Sequence, residues 1–175
     1  VLSDEIHVSV LKALGLLGLG RQRVERVPVD DQGRLIVDAL PALDDRTIIC
    51  LQVGNVNSGA FDPIQAVCER ARAAGAWVHV DGAFGLWAAA SDALRHLCAG
   101  HELADSWTID AHKWLNVPYD SGIALCRHPQ ALAAAMATHA DYLALSAHRE
   151  PSHFVPEFSR CARAVDVWAA LRTLG

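Results

Sequence analysis

Lys113 sits in the string Asp110-Ala111-His112-Lys113-Trp114-Leu115-Asn116, and an upstream run, Val78-His79-Val80-Asp81-Gly82-Ala83, ends an apolar stretch on a carboxylate. A lysine amine condenses with an aldehyde, and an aspartate at a buried strand end can hold a proton on a heteroaromatic nitrogen. Pyridoxal phosphate asks those two functions of a protein. A free lysine, with a pKa of about 10.4, is deprotonated in roughly one molecule per few thousand at neutral pH, so placement decides whether it reacts. Ala111, Trp114 and Leu115 give Lys113 apolar flanks of the kind that disfavour a charged amine, and His112 can hydrogen-bond a phosphate or a substrate group. Taken alone, a lysine after a strand is more often a surface group, and an aspartate before glycine more often makes a turn. The pairing is what points to the cofactor. Lys113 and Lys12 are also the only lysines, the other side chains of that class being arginine. Across about 4 Å at an effective dielectric near 20, a carboxylate attracts a protonated ring nitrogen by about 4 kcal/mol. Ala83 is small enough to let a ring lie close to the backbone.

These residues need elements to hold them. Ser3 and Asp4 can cap a helix ending near Leu14, where Gly15, Gly18 and Gly20 break the pattern. Residues 23–29 alternate like a strand, Asp30-Asp31-Gln32-Gly33 reads as a turn, and a short helix is expected over 37–43. An apolar strand over 47–53 runs into a glycine-bearing loop, Gly54 to Gly59. A helix follows Asp62-Pro63, with Ile64, Val67, Cys68 and Ala71 at helical spacing and Gly75 as its stop. Strands are expected over 76–80, 106–109 and 123–126, an alanine-rich helical stretch over 131–137, and a final helix over 160–174 with Val165, Trp168 and Leu171 on one face, packing on the sheet or leading to a further part. Strands this apolar suit a sheet covered on both sides, so the expected fold is an α/β three-layer sandwich with a mainly parallel sheet. Chemistry in such sheets collects at the strand ends, where Asp81, the Gly54 loop and residues 110–113 converge.

Composition bounds the alternatives. The 175 residues are 52% hydrophobic and 20% charged, which suits a buried core, and the net charge of -5 gives no footprint for nucleic acid. No stretch is apolar for long enough to cross a membrane. The five cysteines are scattered, odd in number and mostly inside apolar runs, which suits a reducing, cytoplasmic setting. Gly15, Gly18 and Gly20 follow a helix and precede a strand, the reverse of a dinucleotide-binding loop. No histidine pair has i, i+4 spacing with a third ligand nearby, so no metal is expected. His79, His96 and His101 read as ordinary buried or surface groups. Val1 is not a start methionine and Leu174-Gly175 directly follows a helical pattern, so part of a longer protein is expected.

The strings Val78-His79-Val80-Asp81-Gly82-Ala83-Phe84-Gly85 and Ala104-Asp105-Ser106-Trp107-Thr108-Ile109-Asp110-Ala111-His112-Lys113-Trp114-Leu115-Asn116-Val117-Pro118-Tyr119-Asp120-Ser121-Gly122 resemble the core of the group II pyridoxal-dependent decarboxylases. That family includes aromatic amino acid and glutamate decarboxylases. Residues 3–10, 59–63 and 159–175 extend the likeness over essentially the whole chain. The resemblance implies an aspartate-aminotransferase-like, fold type I large domain, with residues 1–175 forming part of it and an N-terminal segment and a C-terminal small domain lying outside. It implies that Lys113 is the Schiff-base lysine, Asp81 the partner of the pyridine nitrogen, His7 the group stacked on the ring and Ala83 the opposite face. His112 and Asp110 would lie by the phosphate and ring substituents, with Ser106 as a further candidate there. The implied substrate is an amino acid, and the implied active form is a homodimer.

The chain departs from the family in two places. The glycine loop reads Gly54-Asn55-Val56-Asn57-Ser58 where many members carry threonines, which puts Asn55 where a residue near the cofactor or substrate carboxylate is expected. An asparagine can still donate a hydrogen bond there. Between Leu143 and Arg160, where family decarboxylases carry a catalytic loop tyrosine, there is none. His148 and His153 are the proton carriers in that stretch. An aldehyde-forming or aldolase-type lyase of the same fold, or a chain without catalytic competence, therefore remain as alternatives.

Overall fold

The computed structural model describes residues 1–138, 148 and 150–174. Six strands, β1 (Leu2–Ser3), β2 (Arg26–Val27), β3 (Ile48–Gln52), β4 (Trp77–Asp81), β5 (Ser106–Asp110) and β6 (Gly122–Cys126), form one sheet in the order β2-β1-β3-β4-β5-β6. Every neighbouring pair is parallel except β5 and β6. Parallel neighbours need a crossover, and α2 (Ile64–Ala74) supplies the one between β3 and β4. Its buried stripe, Ile64, Val67, Cys68 and Ala71, is the one the spacing predicts, and it shares a core with Ile49, Leu51, Val78 and Val80. Gly75 ends the helix at φ +73°, a conformation only glycine adopts cheaply. Short 3-10 turns, Leu86–Ala90, Arg95–Cys98 and His101–Leu103, carry the chain from β4 to β5.

Three expectations are corrected. Leu2–Ser3 is a strand and not a helix cap: Leu2 and Ser3 are buried, Leu2 N–H donates to Glu25 O, and Asp4 N–H donates to Val27 O. The helix α1 (Val8–Leu16) starts four residues later than a Ser3 cap would put it, is capped by His7, and runs through Gly15 before Gly18 turns at φ +75°. The strand over 23–29 shrinks to Arg26–Val27, because Pro28 has no N–H to give a ladder. The helix over 37–43 is a single 3-10 turn, Val37–Ala39, since Leu40 precedes Pro41 and is extended at ψ 134°. Of the two readings of the last helix, packing on the sheet does not hold for α5 (Ala164–Leu174), whose Val165, Trp168 and Leu171 are exposed. The stretch over 131–137 is helical as α4 (Pro129–Met136).

Alternation along β4 decides where a site can lie. Val78 and Val80 are buried toward α2, whereas Trp77, His79 and Asp81 on the other face are only partly buried. A sheet covered on both sides was the expectation, but α1 roofs only part of this second face, and a cleft opens along the rest.

Asp62 fastens the end of β3. Its carboxylate is buried and accepts Leu35 N–H and Gln52 N–H, each at 2.7 Å, while burial pushes its pKa above the ordinary value despite those bonds. Asp62→Ala leaves two buried N–H groups without an acceptor, and a loss of about 2–4 kcal/mol is expected. Urea unfolding followed by circular dichroism measures it; a change under about 0.5 kcal/mol, the size typical of a surface substitution, would refute this account of the carboxylate.

Candidate functional site

Register assembles the floor of the site. Ile48, Cys50 and Gln52 of β3 pair with Trp77, His79 and Asp81 of β4, and His79 and Asp81 pair in turn with Ser106 and Thr108 of β5. Successive strand residues point to opposite faces, so these side chains, with Asp110 at the end of β5, share one face. They line a cleft of about 630 Å³, whose walls include His7, Val10 and Leu14, then Gly54 and Val56, then Ala83, Phe84 and Lys113. A larger and more open groove of about 910 Å³, lined by Arg34, Asp62, Glu69 and His96 among others, contains none of the residues singled out for imine chemistry.

Lys113 lies in α3 (Ala111–Trp114), a single turn that follows β5 directly. Its amine is not in an apolar enclosure: Nζ is 2.9 Å from Asp110 Oδ2 and 4.7 Å from the centre of the Phe84 ring, and Trp114 is largely exposed. Carboxylate and ring face together hold the amine at the cleft wall. Asp81 is the last residue of β4, and its Oδ1 accepts Ala83 N–H at 3.2 Å, which curls the chain so that Ala83 also borders the cleft. Among the described residues, Asp81 Oδ2 has no hydrogen-bond donor. An acceptor without a donor, an amine and a small side chain around one cleft fit a planar ring that carries a basic nitrogen and an aldehyde. The volume lies within the range of cofactor pockets. The residues present thus fit the ring and aldehyde of pyridoxal phosphate.

His7 caps α1 and borders the same cleft. Ser9 N–H donates to its Nδ1 at 3.4 Å and Ser9 Oγ lies at 2.7 Å from that nitrogen, while the His7 backbone N–H donates to Gln52 Oε1 at 3.1 Å. Ser106 also borders the cleft but at the start of β5, roughly 13 Å along the strand from Asp110. Its Oγ accepts from Trp77 Nε1 and bonds His79 Nδ1, both at 2.9 Å.

Two predicted site residues are not among the cleft's lining. His112 turns to the following loop: its Nδ1 lies 2.9 Å from Ser121 N and 3.0 Å from Ser121 O, and its Nε2 is 3.6 Å from Asp110 Oδ2. Asn55 is buried in its own loop, where its Oδ1 accepts from Asn57 and Ser58 N–H and its Nδ2 donates to Glu5 Oε2 at 2.9 Å. Of the loop histidines, His153 ends the 3-10 turn Pro151–His153, while residues 139–147 and 149 lie outside the described ones.

Sequence reasoning missed Gln52, Thr108 and Phe84 and gave His79 no role. A signal existed for Gln52, the lone polar side chain in Ile48-Ile49-Cys50-Leu51-Gln52-Val53. For Thr108, only the register reveals it.

Burial lowers the pKa of His79 from its ordinary 6.5, with the charge of Asp81 opposing part of that shift. A depressed folded value means that the unfolded chain takes up a proton first, so His79 favours folding above pH 6.5 and this stabilisation is lost as pH falls through the folded value. His79→Gln is expected to flatten the decline in unfolding free energy below pH 6.5, read from urea midpoints across a pH series. An unchanged slope would contradict the burial of a neutral imidazole.

A mainly parallel sheet with its reactive groups at the strand ends, a lysine on the turn after one strand and an aspartate closing its neighbour, defines an α/β domain of fold type I. The family description "pyridoxal-dependent decarboxylase conserved domain" matches residues 1–175, and the chain belongs to that family. It is 31% identical to an aromatic-L-amino-acid decarboxylase of Bacillus atrophaeus over 99% of this chain and 39% of the relative. It is 32% identical to a tyrosine decarboxylase of Oryza sativa subsp. japonica over 99% of this chain and 36% of that one. Among solved structures, mouse CSAD in apo form superposes with a TM-score of 0.89 at 26% identity, covering 99% of this chain and 39% of its own. Oryza sativa TDC with PLP and tryptamine gives 0.89 at 26% identity, again over 99% and 39%. The chain therefore spans well under half the length of these relatives.

Proposed function

We propose that this chain forms part of the cofactor-binding large domain of a decarboxylase that removes the α-carboxylate of an L-amino acid with pyridoxal phosphate, using Lys113 as the attachment point. The observation that carries the reading is the meeting of Lys113 and Asp81 in one cleft, on neighbouring strand ends of a parallel sheet. When bound, the cofactor supplies an aldehyde that condenses with amines and a ring that accepts electrons. Lys113 Nζ would hold the cofactor through its aldehyde carbon, and Asp110 Oδ2, 2.9 Å from the free amine, keeps that amine at the cleft wall. Asp81 Oδ2 would hold a proton on the ring nitrogen, and His7 and Ala83, which border the same cleft, would flank the ring. In the proposed net reaction the substrate would lose its α-carboxylate as carbon dioxide, the cofactor would take up the electron pair left behind, and Lys113 Nζ or a loop group would return a proton to the α-carbon, giving the amine.

By the same reading the longer protein is a cytoplasmic homodimer. The exposed Val56, Phe84, Leu94, Leu97 and Trp114 beside the cleft support an interface there, and the five cysteines, free in this structure, support a reducing setting. A second reading, aldehyde formation, is favoured by the absence of tyrosine between Leu143 and Arg160. A solved Rhodiola rosea 4-hydroxyphenylacetaldehyde synthase also superposes on this chain, with a TM-score of 0.80 at 25% identity. Product analysis of the longer protein with single L-amino acids separates the two. Amine and carbon dioxide in equal amounts are expected; aldehyde with ammonia selects the second reading, and neither product with any amino acid overturns both.

A further inference from the structure

Gln52 closes β3 in the same cross-strand row as Asp81 and Thr108, and its side chain, 95% removed from solvent, borders the cleft. Its two ends are unequal. Oε1 accepts the backbone N–H of His7 at 3.1 Å, a contact that only the oxygen can make, so the orientation of the carboxamide is fixed. Nε2 then carries two N–H donors, and none of the described residues accepts from either. Nε2 is not among the partnerless polar atoms sealed from solvent, so the donor end is the part of this otherwise buried residue that opens on the cleft. The neighbouring polar groups do not take it up: Asp81 Oδ1 accepts from Ala83, and Asp62 receives the Gln52 backbone N–H, not its side chain.

We propose that Gln52 Nε2 is a ligand-binding donor, which gives a hydrogen bond to an acceptor oxygen of the molecule that fills the cleft beside Asp81. This rests on the function proposed above and adds a residue to it. An oxygen there has two sources, a ring oxygen of the cofactor or the carboxylate of the amino acid. The chemistry is the same: Asp81 serves the donor edge of the occupant, and the adjacent carboxamide serves an acceptor. The His7 contact gives Gln52 a second task, because one carboxamide both seats the backbone at the start of α1 and faces the ligand.

The test uses the full-length holoenzyme. Gln52→Glu keeps an acceptor for His7 N–H and removes the donor, whereas Gln52→Met removes both. Cofactor affinity is read by titrating each apoprotein with pyridoxal phosphate and following the visible absorbance, and KM is measured at saturating cofactor. If the oxygen belongs to the cofactor, both variants are expected to bind it ~10-fold or more weakly, the size of one lost hydrogen bond to a charged or strongly polar partner. If it belongs to the substrate, cofactor affinity holds and KM rises by a similar factor. Either result supports the donor role. A loss in Gln52→Met that Gln52→Glu restores to within twofold of the parent leaves only the His7 contact and overturns it, as does an unchanged affinity and KM in both. A parent protein that develops no cofactor absorbance overturns the functional reading itself, a result that no Gln52 variant can mimic.

Discussion

Lys113→Ala is expected to lower turnover by a factor on the order of 10³ or more and to abolish the cofactor's visible absorbance in the longer protein. Only two lysines exist in the chain, and Lys12 lies exposed on α1 away from the cleft, so no second amine stands ready to replace it. The alanine variant also removes the positive charge that faces Asp110 at 2.9 Å, and part of any loss could come from that unpaired carboxylate. Lys113→Arg separates the two effects. A guanidinium keeps the charge and can bond Asp110, but it does not condense with an aldehyde at neutral pH. If the amine acts as a nucleophile, the arginine variant is as inactive as the alanine variant, while Lys12→Ala keeps parental turnover. Arginine at position 113 retaining turnover within about tenfold of the parent would reduce Lys113 to an electrostatic role and remove the basis of the proposed mechanism.

The parts of the candidate site that follow from covalent chemistry and from strand ends are legible in the sequence. An imine needs a lysine, and Lys113 follows an apolar strand. A ring nitrogen needs an anion, and Asp81 closes the neighbouring strand. The helix between those strands was legible as well, because Ile64, Val67, Cys68 and Ala71 recur with helical spacing and Gly75 stops it. Register was not legible. A slip of one residue would turn Gln52 and Thr108 to the opposite face, and nothing in either strand alone fixes how β3, β4 and β5 align.

Competition for local hydrogen bonds explains why two expected site residues do not line the cleft. The position of His112 next to Lys113 points to a ligand contact, yet the N–H of Ser121 claims its Nδ1. The place of Asn55 in the glycine loop points the same way, yet that loop and Glu5 use both ends of its amide. Side chains with short reach satisfy the nearest backbone first, and sequence spacing does not show which backbone that is. The late start of α1 has the same origin: Ser3 could cap a helix, but its backbone joins the sheet between β2 and β3.

Asp81→Asn tests the electrostatic half of the site with little disturbance of the fold. Asparagine has the same shape, and its carbonyl oxygen can accept Ala83 N–H as Asp81 Oδ1 does, so the turn that places Ala83 survives. What disappears is the charge. In its row Asp81 stands between Gln52 and Thr108, both uncharged, and Asp110 is already engaged by Lys113. No neighbour can take over. An attraction of about 4 kcal/mol at an effective dielectric near 20 corresponds to a factor on the order of 10³ in rate if it is realised mainly when the ring takes up electrons. Turnover is therefore expected to fall by about that factor, with a much smaller change in the urea midpoint. Asp81→Glu, which keeps the charge but moves it by one methylene, should lie between the parent and asparagine. An asparagine variant within about tenfold of the parent would mean that the carboxylate does not face the ring nitrogen, and the geometry of the cleft would then need a different occupant.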